Sequence, residues 1–348
     1  MRSPIPRIPV CLLIASGLLG GSVSCSRPAN DIVLEQVLRF PPPDSDDPDY
    51  YLATPNDFEL LPDQRVAIVD WMQHVVWIVD EEGELVAQVG RQGQGPGEFS
   101  FPDEAAFDES THLLWVRDRN KLQAFDQENW SYSHGFIRDV IRGVHLQAIH
   151  DTLYMATFDE HRPEIIHAFN AQGELLFSFG EHPDREVGPA GRRIHRLGSM
   201  HITVGSEGAL IGCYTYSVFN DVLLITPTSQ SVIHIRDRDV IRADRENRDK
   251  ARDWPTDDDD RPPPYNITRQ SMFLGDRLFV LLTRLVGQRL VEIDTRGYIV
   301  HSYSFPTPPE VQYPSPIKFT VGLENGTLVV WMLWNQPYPH IVKLMPRS

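Results

Sequence analysis

Four features of this 348-residue sequence are of types that can do chemistry: a glycine run, an acid run, three cysteines and 13 histidines. The glycines are Gly90, Gly93, Gly95 and Gly97. No Lys-Ser/Thr and no helix-forming stretch follows them, so neither a P-loop nor a dinucleotide fingerprint fits. They suit a crossing where backbones approach closely. The acids are Asp257 to Asp260. Calcium needs oxygens converging from a shaped loop, and four consecutive Asp point in different directions. Cys213 lies in the apolar run 209–214 without an adjacent charge or His, and reads as a buried small hydrophobe. The sequence contains no G-x-S-x-G, no H-E-x-x-H and no CxxC.

One further set has chemical potential only if the fold gathers it: Asp57, Asp103, His145, His201, Arg269 and Lys318. Each stands at or near the start of the first strand of a repeated unit. Two His from adjacent units, assisted by Asp57 or Asp103, would suit a divalent transition metal. The plainer reading is polar lining without catalysis.

The repeat that would gather them is visible. Residues 65–89 and 112–133 each show a strand ending in Asp (Asp70, Asp118), a turn, a second strand ending at Asp80 or Asp126, and a further strand. A leading strand precedes each, at Phe58 to Leu61 and Glu104 to Phe107, making four strands per unit. The pattern recurs with decay, and its anchor after the third strand falls at Asp80, Asp126, Asn170, Thr226, Asp294 and near Lys343. The early spacing is that of propeller blades. The turns Asp80–Gly83, Asn170–Gly173 and Asp294–Gly297 place Asp or Asn first and Gly fourth, as tight hairpins require. The sixth unit lacks its fourth strand, and Asp31 to Phe40 is the spare one. The spacing therefore predicts an all-β, six-bladed β-propeller whose N-terminal strand closes the last blade and removes exposed edges.

Residues 66–126 resemble the NHL-repeat type of propeller. The likeness rests on the glycine linker into Phe99, on Pro102, on Val116-Arg117-Asp118 with Asn120, and on Phe125-Asp126. The resemblance implies a ligand over the central channel. Some relatives of the fold, including amidating lyases and lactonases, use channel metals, but their ligand patterns do not map onto this sequence.

Residues 236–264 form a charged, Pro-rich insertion between the fourth and fifth units. We read it as a solvated excursion carrying a short helix over 239–252. It is also a candidate partner-binding flap.

The first residues read as an address. Arg2 and Arg7 precede an apolar run from Val10 to Leu19, then small residues lead to Cys25. This is a secretory signal over 1–24, with an apolar run too short to span a bilayer. Ser22-Val23-Ser24-Cys25 resembles a bacterial lipoprotein lipobox, apart from Ser22 where an aliphatic residue is usual. The resemblance implies acylation of Cys25 and a tether over 25–30 ahead of a propeller over 31–348. The alternative is ordinary cleavage and a soluble periplasmic protein. Without its leader the chain loses two Arg and no acid, moving its charge from -16 to -18. That acidity excludes nucleic acid as the main partner. The expectation is an exported, envelope-associated, non-enzymatic binding or scaffold protein with a protein or small-molecule ligand and no cofactor. The alternative is a metal-dependent hydrolase or lyase with its site in the channel.

Overall fold

A computed structural model describes residues 30–41, 52–119, 121–137, 143–157, 164–181, 198–204, 210–216, 220–252, 267–283, 286–307, 316–336 and 338–347. The leader, Cys25 and most of the tether lie outside these residues, as do 253–264 of the insertion. No helix of the described residues is long and apolar enough to cross a membrane.

Twenty-four strands form the six blades of the propeller. The N-terminal strand is β1 (Asn30–Phe40). Blade 1 is β2 (Pro55–Leu60), β3 (Val66–Asp70), β4 (Val75–Val79) and β5 (Leu85–Val89). Blade 2 is β6 (Pro102–Asp108), β7 (Leu113–Asp118), β8 (Lys121–Asp126) and β9 (Tyr132–Ile137). Blade 3 is β10 (Gly143–Ile149), β11 (Thr152–Thr157), β12 (Glu164–Phe169) and β13 (Leu175–Glu181). Blade 4 is β14 (Gly198–Val204), β15 (Leu210–Tyr216), β16 (Asp221–Ile225) and β17 (Gln230–His234). The helix α1 (Arg238–Arg252) follows. Blade 5 is β18 (Thr268–Leu274), β19 (Arg277–Leu282), β20 (Arg289–Ile293) and β21 (Ile299–Ser304). Blade 6 is β22 (Lys318–Glu324), β23 (Thr327–Trp334) and β24 (His340–Pro346), completed by β1.

The ring closes as the spare strand predicts, with one addition. Leu34 to Phe40 pair antiparallel with β24, while Asn30 to Val33 pair parallel with β21 of blade 5. The strand therefore joins two blades into one eight-stranded sheet. Burial follows the blade interfaces. One apolar cluster sits between each neighbouring pair, and the cluster of Phe40, Phe58, Ile68, Trp331 and Leu333 seals blade 6 to blade 1.

The turn-opening Asp and Asn side chains perform one task in three blades. Asp80 Oδ1 accepts from the N–H groups of Glu82 and Glu84, Asn170 Oδ1 from Gln172 and Glu174, and Asp294 Oδ1 from Arg296 and Tyr298. The acids ending the second strands hold the chain that enters the blade. Asp70 accepts from Ala53 N at 2.6 Å, and Asp118 from Ser100 N at 2.9 Å. The glycine run is held by its own residues and by β8, where Gln123 Oε1 accepts from Gly97 N at 2.8 Å. Glu98 accepts from Gly95 N at 3.0 Å and from Arg91 Nε at 3.0 Å, and a side chain on Gly90 would strike the Phe99 ring.

The insertion corrects one expectation. Helix α1 is present over nearly the expected residues, but it is not a solvated excursion. Val240 and Ala243 are buried in the cluster between blades 4 and 5, and Asn247 is fully buried. The sequence hides this because the buried face has only Val240 and Ala243 as apolar residues and is completed by the polar Asp244 and Asn247.

Candidate functional site in the central channel

The six innermost strands meet in the order β2, β6, β10, β14, β18, β22, and Lys318 of β22 reaches Asp57 of β2 to complete the circle. All six expected residues lie on these strands. Register separates them into layers. Asp57 faces Val69, Glu104 faces Arg117, His145 faces Ala156, Ser199 faces Thr215, Gln270 faces Leu281 and Lys318 faces Leu333. These six residues occupy equivalent ring positions.

Asp103 and Arg269 therefore do not stand where the spacing put them. Each is the extra residue of a β-bulge, between Pro102 and Glu104 and between Thr268 and Gln270. A bulge inserts one residue on one strand, so counting along the chain slips by one. His201 also moves, into the next layer. Glu59, Gln147 and His201 share that deeper position.

The first layer carries two ion pairs, Asp57–Lys318 and Glu104–Arg117, and leaves His145 Nε2 buried without a hydrogen-bond partner. Asp57 is only 3% exposed; its Oδ1 pairs with Lys318 and its Oδ2 accepts from Ala105 N at 3.1 Å. Gln270 Oε1 accepts from Phe319 N at 2.9 Å, and in the deeper layer Glu59 Oε1 accepts from Phe107 N at 3.2 Å. Side chains of one inner strand thus satisfy backbone donors of the next, a structural reason for polar residues there. Arg117, absent from the expected set, grips Asp103 with two bonds of 2.9 Å and lies 3.2 Å from Glu104. Only its place in the Val-Arg-Asp strand hinted at it.

Burial sets the protonation states. It raises Glu59 to about 7, against the attraction of Lys318. It raises Glu104 to about 7 and Asp103 to about 6, both opposed by Arg117. Burial alone would lower Lys318, but Asp57 and Glu59 outweigh it and the net shift is upward. His201 is pushed down to about 3 by burial and then by Lys318. His145 is driven well below the ordinary imidazole value by burial, then by His201, Lys318 and Arg117. Both imidazoles are neutral, and their ring centres are 5.5 Å apart.

A cavity of about 340 Å³ opens where the inner strands end, lined among others by Glu59, Phe107, Gln147, His150, His201 and Thr203. Of the six expected residues only His201 lines it. The remaining five lie toward the strand starts. A metal would find His145 and His201 as neighbours, but no group of three or more His, Cys, Asp and Glu could hold one among the described residues. Cys213 is buried, donates to or accepts from Ser271 Oγ at 2.8 Å, and has its thiol pushed up to about 12 by burial. That suits packing and not nucleophilic chemistry.

Comparison with known proteins agrees with this architecture. A family model described as a 6-bladed beta-propeller (DUF5128) matches residues 56–161, less than a third of the chain. No curated protein matches the sequence. An exported protein of Bacteroides fragilis superposes with a TM-score of 0.54 at 11% identity, over 92% of this chain and 100% of its own. The WD40 repeats of RRP9 do so with a TM-score of 0.52 at 11% identity, over 85% and 96%. Virginiamycin B lyase from Staphylococcus aureus gives 0.48 at 13% identity, over 84% and 95%. At such identities the likeness extends to the fold and no further. The chain is a six-bladed β-propeller with a polar channel and a cavity at one end of it.

Proposed function

We propose that this protein is an NHL-like, envelope-associated binding module, exported by its first 24 residues and anchored through acylated Cys25, that takes a small polar ligand in the channel cavity. One observation carries the reading: Glu59, Gln147 and His201 share one layer and line one cavity, offering a carboxyl near neutrality, an amide and a neutral imidazole. Such convergent polar groups in a concave site are the usual basis of small-molecule binding. The first layer spends its charges on its own ion pairs, which favours a scaffold role for it.

The test is a thermal-shift screen of small polar metabolites against the mature protein. A compound that raises the midpoint in the parent but not in Gln147→Ala or His201→Ala supports the reading. A compound that stabilises all three equally places the site elsewhere.

The second reading is a hydrolase or lyase, favoured by the Glu59 carboxyl, whose value of about 7 suits proton exchange near neutral pH. In its metal-dependent form it requires stoichiometric metal in the purified protein, lost in both His145→Ala and His201→Ala. For the anchor, Cys25→Ser is expected to leave the membrane fraction and to take no lipid label. Unchanged retention counts against acylation.

A further inference from the structure

We infer that the outer rim of blade 5 faces the membrane, so that the propeller stands on edge with its channel lying along the surface. The inference rests on the anchored reading of Cys25. Cys25 and Asn30 are five residues apart, and an extended chain spans roughly 3.5 Å per residue, about 17 Å in all. An acyl chain on Cys25 therefore holds the point where Asn30 enters the fold within that distance of the headgroups.

That point is on the outer rim, away from the channel axis, at the same end of the blade as the cavity. Asn30 pairs with His301 on the outermost strand of blade 5, and β1 runs parallel to β21. The chain entering β1 thus comes from the side of residues 300 to 298. The surface there has its own chemistry. Tyr298 and Val300 are each 42% exposed. The guanidinium groups of Arg236 and Arg296 lie 5.2 and 5.4 Å from the Tyr298 ring. Arg236 N donates to Gly297 O at 2.7 Å and Arg236 Nε to Arg296 O at 2.9 Å, which fixes Arg236, on the segment leaving blade 4, against the turn that carries Arg296. Asp294 holds Arg296 at 3.0 Å, so Arg236 contributes more of the unbalanced positive charge.

An aromatic ring flanked by cations, with Val300 beside it, matches the boundary between phosphates and acyl chains. Without its leader the chain carries -18 and is repelled by an anionic surface, so the local cations beside the tether decide which edge approaches. On edge, the cavity stays open to the aqueous phase.

The experiment uses residues 25–348 with the Cys25 thiol coupled to a maleimide lipid in vesicles. Cys213 is buried and does not compete. Arginine labelling by phenylglyoxal is read by mass spectrometry against the same protein capped with N-ethylmaleimide. Labelling of Arg236 and Arg296 is expected to fall at least about threefold, more with phosphatidylglycerol than with phosphatidylcholine. Arg91, exposed on the linker from blade 1 to blade 2, should keep its rate. Tyr298→Asp combined with Arg236→Glu should abolish protection of Arg296 while coupling is complete. Equal labelling at both arginines, or equal protection of Arg91, overturns the proposal. Because the lipid is attached chemically, a lack of acylation in cells is a separate result, read from the mass of the N-terminal peptide.

Discussion

Lys318 on the first strand of the last blade forms a salt bridge with Asp57 on the first strand of the first blade. The two lie 261 positions apart in sequence and meet at the seam where the ring closes. Lys318 also stands close enough to Glu59 and Glu104 for both to raise its pKa. One ammonium thus compensates several buried carboxylates, which makes it the most sensitive charge in the channel.

Lys318→Met leaves Asp57 buried and unpaired. Breaking a buried pair from one side costs about 3–5 kcal/mol. Denaturant unfolding should show that loss at neutral pH and a smaller one near pH 5, where the neighbouring acids bind protons. A loss under about 1 kcal/mol would mean the pair is solvent-screened.

Glu59 and Glu104 give the fold a defined pH dependence. Both have folded pKa values raised to about 7 from an ordinary 4.5. The folded state binds more protons than the unfolded one between those values. Their stabilising contribution is therefore complete below about 4.5 and is lost as pH rises through 7. His201 works in the opposite sense. Its folded value of about 3 means stability is present above about 6.5 and is lost as pH falls toward 3. Thermal midpoints measured across pH 4 to 9 should show the decline between about pH 4.5 and 7 become shallower in Glu59→Gln. An unchanged slope would assign that decline to other groups.

Leu34 is fully buried in the cluster between blades 5 and 6, whereas Val33 beside it is 49% exposed. Leu34→Ala should cost about 2–5 kcal/mol by loss of packing, and Val33→Ala within about 0.5 kcal/mol. Hydrogen exchange should show the Leu34 variant loosening β21 and β24 together, because β1 is paired to both. Loosening of β24 alone would mean the parallel pairing contributes nothing.

Gly297 has φ +85°, and a side chain there would overlap the carbonyl oxygen of His234 in the preceding blade. Gly275 has φ +59° with open space around it. Gly297→Ala should therefore cost well over 2 kcal/mol and Gly275→Ala about 1 kcal/mol. Chemical denaturation of the two variants separates steric overlap from backbone strain.

The repeat was readable because each blade carries its own local signals. Asp80, Asn170 and Asp294 start turns that close with a glycine, and those turns form for reasons contained within five residues. The closing strand was readable as well, since a blade short of one strand and a spare strand at the other end imply each other. The helix over 239–252 was legible in its existence but not in its packing, because two small apolar residues among charges do not announce a buried face.

What the sequence by itself determined is the architecture: four-stranded units, their turns, and a first strand per unit carrying a polar residue toward the axis. Tertiary structure alone decided which of those residues meet. A β-bulge adds one residue with no composition signal, so Glu104 and Gln270 take the places that counting assigned to Asp103 and Arg269. Arg117 enters the channel network from a second strand, and Glu59 joins His201 across three blades. Such contacts depend on register and on closure of a ring, and both are fixed only when distant blades pack.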